Sequence, residues 1–317
     1  MTLLIRKITC LAGGVGAARF LQGLVEIVPQ KNLTIVVNTG DDLELYGLHI
    51  SPDPDIIVYT LAGIVDEQKG WGIRGDTFSC LNSLKRYDVE TWFNVGDKDL
   101  ATHIYRTILL KNGATLDKVT KKIAKAFGLE AKILPMTNGK IVPQIITETG
   151  KSHFEEYLVK SQAKDPVLNV LFEGRELADP APGVLESLEE TDGIIVCPSN
   201  PIVSIGPILA VKEVRKTLRE TRSKIVAISP IVGGATIKGP ADKLMRGLGH
   251  EVSAYGVAFL YRDFLDAFIM DETDTAYKSR VEKLGIRAVT TNTIMRTPQD
   301  KVKLAQLTLE TLEEMEG

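Results

Sequence analysis

The chain has 317 residues, of which 44% are hydrophobic and 25% are charged, as in a globular protein with one large domain or a domain that carries a subdomain. The formal net charge of −3 provides no basic surface for nucleic acid, so we expect no nucleic-acid partner. No apolar run approaches the length of a membrane span and the first residues lack the features of a signal peptide, so we expect a cytoplasmic protein with no membrane partner.

The three cysteines are few, odd in number and far apart in the sequence. Cys10 and Cys197 lie in apolar stretches, where we expect buried free thiols. No CxxC or HExxH spacing occurs, which argues against a zinc site.

Apolar runs alternate with helical patterns in the first third of the chain. KITCLA (7–12) and NLTIVV (32–37) predict buried strands, and AARFLQGLVEIV (17–28) predicts the helix between them. PDIIVYTLAGIV (54–65) and DTFSCLNSLKRY (76–87) predict further helices. Continuously apolar strands separated by helices indicate a parallel sheet that is covered on both faces.

The same alternation returns near the end of the chain, after a middle section of short mixed elements. GIIVCPSNP (193–201) and SKIVAISPIVGG (223–234) each predict a strand that runs into a loop rich in proline, glycine and serine. DKVKLAQLTLETLEEM (300–315) predicts an amphipathic helix that docks on the sheet.

These patterns predict a single α/β domain with a doubly wound, mostly parallel, Rossmann-like sheet. Its core covers residues 1–111 and 191–317, and a smaller α+β subdomain is inserted at about residues 112–190. In open α/β sheets a ligand binds at the carboxyl ends of the strands. Four predicted strand ends carry loops of similar character, with the sequences AGGVGAAR, NTGDDLE, PSNPIVSIG and SPIVGGATIKGP.

The glycine-rich run LAGGVGAARFL is typical of a phosphate loop. Gly13, Gly14 and Gly16 allow backbone N–H groups to approach an anion at a helix N-terminus. Arg19 stands where a dinucleotide-binding fingerprint needs its third glycine, and no Gly-Lys-Ser/Thr follows as in a P-loop. We therefore favour a phosphate or diphosphate cradle over a cofactor fingerprint; the alternative is a glycine turn that serves only the fold.

Two pairs of carboxylates follow the second strand. Asp41 and Asp42 lie in its loop, and Asp53 and Asp55 lie in SPDPD at the start of a helix. Helix capping would explain any one of them. Because phosphate esters need charge neutralisation, we expect these carboxylates to bind Mg²⁺, with one aspartate accepting a proton from an attacking hydroxyl.

The motifs GWGIRGD and GDKDLATH contain further candidates. Trp71 lies among glycines, which suits an aromatic surface for a planar ligand, although packing is the common role of a single tryptophan. Either Asp97 or Asp99 is expected to cap the following helix. His103 falls within that helix, where it either reaches the cleft or is a structural histidine.

Hydroxyl and amide side chains follow two of the later strands. Ser199, Asn200 and Ser204 lie where a strand meets a helix, and Ser229 with Gly233 repeats this arrangement one strand further on. Such groups cap helices or bind an anion or a base edge. The repetition favours ligand binding.

Nine motifs in order between residues 11 and 245 resemble the 2-phospho-L-lactate transferases of coenzyme F-420 biosynthesis. They are LAGGVGAARFL, VVNTGDDLELYGLHISPDPD, YTLAG, GWGIRGDTF, GDKDLATH, ILPMT, PSNPIVSIGPIL, SPIVGG and GPADKLM. The resemblance implies a Mg²⁺-dependent, commonly dimeric enzyme with a doubly wound α/β core. It would transfer a phospholactyl or phosphoenolpyruvyl group from a guanosine diphosphate conjugate to a deazaflavin alcohol and release GMP.

The resemblance and the residue patterns together assign roles to individual residues. Asp42 and Asp55 are the expected catalytic residues, and Asp42, Asp53 and Asp55 the expected metal ligands. The expected substrate-binding residues are Asp53, Trp71, Asp97, Lys98 and His103. The expected nucleotide-binding residues are Gly13, Gly14, Gly16, Arg19, Asn38, Ser199, Asn200, Ser204, Ser229 and Gly233.

The chain departs from the family pattern at three positions. Pro54 and Ile56 replace the leucine and threonine that are usual in SPDLDT, and Lys98 stands where arginine is common. Arginine and lysine are not equivalent as phosphate clamps, so these changes affect the expected acceptor contacts. Two other classes are weighed: a dinucleotide-dependent dehydrogenase, which Arg19 disfavours, and a non-catalytic nucleotide-sugar-binding regulator of the gluconeogenesis-factor type.

Overall fold

The computed structural model describes residues 7–315. In chain order the strands and helices are β1 (Ile8–Ala12), α1 (Gly14–Leu24), β2 (Leu33–Val37), β3 (Leu43–Leu45), β4 (Leu48–Ile50), α2 (Pro52–Leu61), α3 (Ser79–Leu84), α4 (Asp97–Lys111), α5 (Leu116–Ala126), β5 (Lys132–Pro135), β6 (Val142–Thr147), β7 (Gly150–His153), β8 (Asn169–Glu173), α6 (Val184–Glu189), β9 (Gly193–Val196), α7 (Ile205–Ala210), α8 (Val214–Glu220), β10 (Lys224–Ile228), β11 (Ile231–Val232), β12 (Ala235–Thr236), α9 (Ala241–Gly247), α10 (Ala254–Tyr261), β13 (Ala267–Asp271), α11 (Lys278–Glu282), β14 (Arg287–Thr291) and α12 (Pro298–Glu313).

The centre of the molecule is a seven-stranded sheet in the order β14-β13-β10-β9-β1-β2-β5. Every neighbouring pair in this sheet is parallel. The predicted doubly wound α/β fold is therefore confirmed. From β1 the chain moves outward through β2 to β5 and then returns to β9 on the other side of β1. Strand order reverses between β1 and β9, which is where open α/β sheets bind ligands.

The inner strands β1, β2 and β9 are largely apolar and buried because both faces of the sheet are covered. Successive side chains of β1 point to opposite faces: Leu11 joins one hydrophobic cluster, and Cys10 and Ala12 join the other. On the second face α1 packs directly on α12, and an added Cβ on Gly23 would lie 2.3 Å from the Lys301 carbonyl carbon. Cys10 and Cys197 are buried free thiols, as predicted.

The residues predicted to form an inserted subdomain contribute strands to two different sheets. Its first part supplies β5, which pairs with β2 at the edge of the central sheet. The separate three-stranded antiparallel sheet, in the order β7-β6-β8, begins only at Val142. The boundaries at residues 112 and 190 stay a prediction, although β5 belongs to the central layer. Between residues 7 and 315, no helix combines the length and apolar character needed to cross a membrane.

Candidate functional site

The loops that follow β1 and β9 touch each other at the point where strand order reverses. The Gly13 N–H donates to Ser199 Oγ at 3.3 Å. A Cβ on Gly16 would lie 2.1 Å from the Pro198 carbonyl oxygen, so only glycine fits this contact. The glycine-rich loop is thus fixed against the second loop before any ligand binds.

Asp53 holds the glycine-rich loop from the side of α2. Its Oδ1 accepts the Gly14 N–H at 2.8 Å, and its Oδ2 accepts from Asn38 Nδ2 at 2.9 Å. Asn38 also donates to the Val203 carbonyl at 3.2 Å, which links three loops. Burial raises the pKa of Asp53 to about 6, against these two hydrogen bonds, which lower it. Both oxygens of Asp53 are occupied by loop contacts, so its predicted role as a metal ligand stays a prediction.

Two side chains at the end of β4 hold Asp42 in position. His49 Nε2 lies 2.9 Å from Asp42 Oδ2, and Ser51 Oγ donates to the same oxygen at 2.9 Å. The other oxygen, Oδ1, is buried and has no hydrogen-bond partner. The neighbouring Asp41 is also buried with an unpartnered Oδ1. Burial and then the charge of Asp53 hold the pKa of Asp41 well above its ordinary value.

The inner face of α4 carries a buried ionic network around Asp55. The Arg106 guanidinium forms an ion pair with Asp55 Oδ1 and donates to His103 Nδ1 at 3.2 Å. The remaining ring nitrogen, His103 Nε2, lies 3.4 Å from Asp99 Oδ2. Tyr59 in α2 donates its hydroxyl to Asp99 Oδ1 at 2.6 Å. The network therefore runs from α2 to α4 and leaves Asp55 Oδ2 buried without a hydrogen bond.

Tyr59 and Arg106 of this network were not among the predicted site residues, and Asp99 was predicted only as a possible helix cap, whereas His103 was a predicted substrate-binding residue. Asp99, His103 and Arg106 are spaced four and three residues apart, which places them on one face of a helix. A search for titratable groups on the face that contains His103 would have found Asp99 and Arg106. Tyr59 gives no such signal, because its sequence context is that of an apolar helix.

The unpartnered oxygens suit a hard divalent cation. In this region Asp41, Asp42 and Asp55 each have a buried carboxylate oxygen without a hydrogen bond, and Mg²⁺ prefers oxygen ligands from one or two carboxylates. Asp55, Asp99 and His103 also present ligand atoms within 4.8 Å of one another. His103 fits the cation less well, since Arg106 already occupies the lone pair of its Nδ1. Of the three predicted metal ligands, Asp42 and Asp55 each keep one oxygen free of hydrogen bonds, whereas Asp53 does not, and the metal site stays a prediction.

The small antiparallel sheet adds a further carboxyl group to this region. Glu155 follows β7 and is 7% exposed, and its N–H donates to His153 Nδ1 at 3.0 Å. Burial and then the charge of Asp53 raise the pKa of Glu155 to about 8. Nothing in the sequence near residue 155 signals this placement, because it depends on how the small sheet lies over the loop after β2.

Asp97, the first residue of α4, caps α3, and Asp76, which precedes α3, caps α4. Asp97 accepts the Thr77 hydroxyl and the N–H groups of Cys80 and Ser79, the last two at 3.0 and 2.9 Å, and these contacts lower its pKa to about 2. Asp76 accepts the N–H of Lys98 at 2.8 Å. This reciprocal pairing joins the motifs GWGIRGDTF and GDKDLATH into one unit. The substrate-binding role predicted for Asp97 stays a prediction beside this structural role.

The other substrate candidates of this unit also make structural contacts. Lys98 is exposed and its Nζ donates to the Gly75 carbonyl at 3.0 Å. Trp71 is half-buried and meets Phe78 edge-on, with the ring centroids 6.4 Å apart. These contacts show how the unit is held together, and the predicted contacts with substrate stay predictions.

The later loop residues hydrogen-bond within their own loops. Asn200 Oδ1 accepts the N–H groups of Ile202 and Val203. Ser229 Oγ donates to the Ile231 carbonyl at 2.8 Å. Gly233 instead donates its N–H to Asp274, which lies outside its own loop. Ser204 is buried beside the glycine-rich loop, with its Cβ 2.9 Å from the position of a Cβ on Gly13.

Comparison with known proteins identifies the family. The model of the family described as "2-phospho-L-lactate transferase CofD" matches residues 8–309. A 2-phospho-L-lactate transferase from Methanosarcina acetivorans is 41% identical over 296 residues, which are 93% of this chain and 96% of that protein. A phosphoenolpyruvate transferase from Streptomyces griseus is 40% identical over 315 residues, 98% of this chain and 99% of that protein.

A solved structure shares the fold at low sequence identity. The crystal structure of a UPF0052 family protein from Bacillus halodurans superposes with a TM-score of 0.63 at 14% identity, covering 96% of this chain and 99% of that one. Its likeness supports the α/β architecture alone. The match to the family model and the identity to transferases over almost the whole length show that the chain belongs to the 2-phospho-L-lactate transferase CofD family.

Proposed function

We propose that the protein transfers a 2-phospholactyl or phosphoenolpyruvyl group from a guanosine diphosphate conjugate to the terminal ribityl hydroxyl of a deazaflavin alcohol. The hydroxyl oxygen forms a bond to the phosphorus that bears the acid, the bond to the GMP oxygen breaks, and an aspartate carboxylate accepts the hydroxyl proton. The observation that carries the proposal is the pair Asp42 and Asp55: each has one oxygen held by neighbouring side chains and one buried oxygen without a hydrogen bond, which in Asp55 lies 3.6 Å from His103 Nδ1. The names of the relatives support a transferase of this kind.

Mg²⁺ would be held by Asp42 and Asp55, where it would neutralise charge on the phosphate oxygens. The residues of the chain supply the remaining functions. His49 and Ser51 fix the orientation of Asp42, and Arg106 fixes that of Asp55. The glycine-rich loop at the start of α1 would receive the negatively charged donor through N–H groups other than those of Gly13 and Gly14, which already bond to Ser199 and Asp53.

Asp55 or a neighbouring carboxylate orients the attacking hydroxyl. Transfer of a phosphoryl-type group needs little covalent help from a protein, so positioning and charge neutralisation account for most of the acceleration. We also propose that the enzyme acts as a homodimer in the cytoplasm and has only small-molecule substrates.

The test is a transfer assay with purified protein, Mg²⁺ and the deazaflavin alcohol. The phospholactyl, phosphoenolpyruvyl and phosphoglyceryl conjugates of GMP are compared side by side. GMP release that depends on the alcohol supports transfer, and the preferred conjugate identifies the acid. Tight nucleotide binding with no GMP released from any conjugate would instead support a non-catalytic nucleotide-binding regulator.

Two variants examine the carboxylates directly. Asp42→Asn and Asp55→Asn should each lower kcat by about 100-fold or more, because the amide loses the charge that binds a cation and orients the hydroxyl. Binding of Mn²⁺, followed by electron paramagnetic resonance, should weaken in both. The matched control is Asp179→Asn, which removes an exposed carboxylate paired with Lys212. Full activity and Mn²⁺ binding in both site variants would refute the assignment.

A further inference from the structure

A second concave site lies between α1, α2 and the segment before α12. It is a cavity of about 100 Å³, and its walls come from α1, α2, residues 65–70 and residues 295–301. None of the carboxylates that form the acidic cluster after β2, namely Asp41, Asp42, Asp53, Asp55 and Glu155, lines it. Arg19 is the one predicted nucleotide-binding residue that lines it.

The charges around this cavity are mainly positive. Arg19, Arg296 and Lys301 line it, whereas Glu67 is its single acidic residue. Lys301 is only 7% exposed, and its ammonium donates to Gln22 Oε1. Glu67 is the counter-charge in this cavity: a hydrogen bond from Gln22 and then the charge of Lys301 lower its pKa, and the charge of Arg19 lowers it further. Three cations nevertheless face one carboxylate, and this surplus of positive charge favours a negatively charged occupant.

A fourth cation approaches from the loop between β12 and α9. Lys238 Nζ lies 2.8 Å from the position of a Cβ on Gly70, which lines the cavity, and it donates to the Lys69 carbonyl at 2.9 Å. Desolvation and then the positive charge of Arg19 lower the pKa of Lys238. Lys238 and Arg19 therefore repel each other across the cavity wall, and an anion between them would remove that repulsion.

The size of the cavity limits what it can hold. One water molecule takes about 30 Å³ in the liquid, so 100 Å³ corresponds to about three waters. Pockets for whole drug-sized molecules measure about 300–1,000 Å³. The cavity is too small for a nucleoside or a deazaflavin ring and suits a single phosphate or carboxylate group. Val15, Ile56 and Met295 supply apolar wall, which strengthens charge interactions inside.

We propose that this cavity is an oxyanion-binding pocket, in which Arg19, Arg296 and Lys301 bind one phosphate or carboxylate group apart from the acidic cluster. The group belongs either to the nucleotide substrate or to a free anion such as inorganic phosphate. Both sources present the same chemistry to the pocket. The proposal does not require that the protein catalyse the transfer proposed above.

Calorimetric titration with inorganic phosphate, in buffer free of other oxyanions and of divalent cations, tests the pocket. The wild-type protein should bind phosphate, and Arg296→Gln should weaken binding at least about tenfold, as expected for the loss of one charged hydrogen bond. Arg296 is exposed and its guanidinium has no hydrogen bond in the described residues, so the variant should fold normally. Arg175→Gln is the matched control, since Arg175 is an exposed arginine paired with Glu176.

A competition experiment between GDP and inorganic phosphate identifies the source of the oxyanion. If GDP and phosphate exclude each other, and Arg296→Gln weakens both, the pocket takes a phosphate of the nucleotide. If GDP binds unchanged to the phosphate-saturated protein, the pocket takes a free anion. Absence of phosphate binding up to tens of millimolar, or equal weakening in Arg296→Gln and Arg175→Gln, would overturn the proposal. None of these outcomes depends on transfer activity.

Discussion

Arg106 is the single permanent cation within the buried network of α4. It is 2% exposed and pairs with Asp55, which is 4% exposed. Arg106→Gln should lower the free energy of unfolding by about 3 kcal/mol, because it leaves a buried carboxylate without its charge partner. Urea denaturation measures this change.

The control for this prediction is an exposed ion pair. Lys212 lies 2.9 Å from Asp179, and both side chains are largely exposed. Lys212→Gln should change the free energy of unfolding by less than about 1 kcal/mol. Equal effects of the two variants would show that the Asp55 pair contributes no more than a surface contact.

Site residues that lie in short sequence motifs could be predicted, whereas those brought in from distant parts of the chain could not. Asp42 lies in the loop directly after an apolar strand, and Asp53 and Asp55 lie in SPDPD at the start of a helix, so short motifs were enough to single them out. The partner of Asp55 is 51 residues further along the chain and is contributed by another helix. The hydrogen bonds that Asp53 makes to the glycine-rich loop were also not predictable, since the aspartate of a phosphate-binding motif is expected to face the ligand.

At the scale of elements, α3 and α4 depend on each other for their first turns. Asp76 lies before α3 and accepts N–H groups from the start of α4, at 2.8 Å from Lys98 and 3.1 Å from Asp99. Asp76→Ala should destabilise the protein by about 1 kcal/mol, since it removes a helix cap. It should also lower transfer activity, because α4 carries the network that orients Asp55.

Thermal unfolding and the transfer assay measure these two effects. Glu186→Ala is the control, because Glu186 is an exposed acidic residue in the first turn of α6. A variant Asp76→Ala with wild-type stability would show that water replaces the cap without cost.

The elements were predictable where burial alone determines them. β1, β2, β9 and β10 are continuously apolar because helices cover both faces of the sheet. The run that forms β5 is equally apolar, yet it was assigned to the inserted subdomain. Its place in the sheet depends on pairing with β2, about 100 residues earlier, and no local pattern encodes that pairing.

At the scale of the whole molecule, the small antiparallel sheet lies against the loop after β2. A Cβ on Gly40 would lie 3.0 Å from Pro143 Cδ, where β6 begins. The same sheet brings Glu155 close enough for its pKa to rise through burial and the charge of Asp53. The acidic cluster is therefore assembled from two parts of the fold, and its charge opposes their association.

This arrangement makes the stability of the protein depend on pH. Glu155 has a pKa of about 8 in the folded state, above its ordinary value of 4.5, so the folded state holds the proton more tightly than the unfolded chain does. Stability should therefore fall as pH rises from about 4.5 to about 8, by at most about 1.4 kcal/mol per pH unit for this one group. Glu155→Gln should remove the contribution of this group to the pH dependence of stability. The free energy of unfolding of the variant should therefore increasingly exceed that of the wild-type protein through this range and then level off. Denaturation by urea at several pH values, without divalent cations, measures both curves. Parallel curves would mean that Glu155 titrates alike in the folded and unfolded states, and that the small sheet adds no charge repulsion to the site.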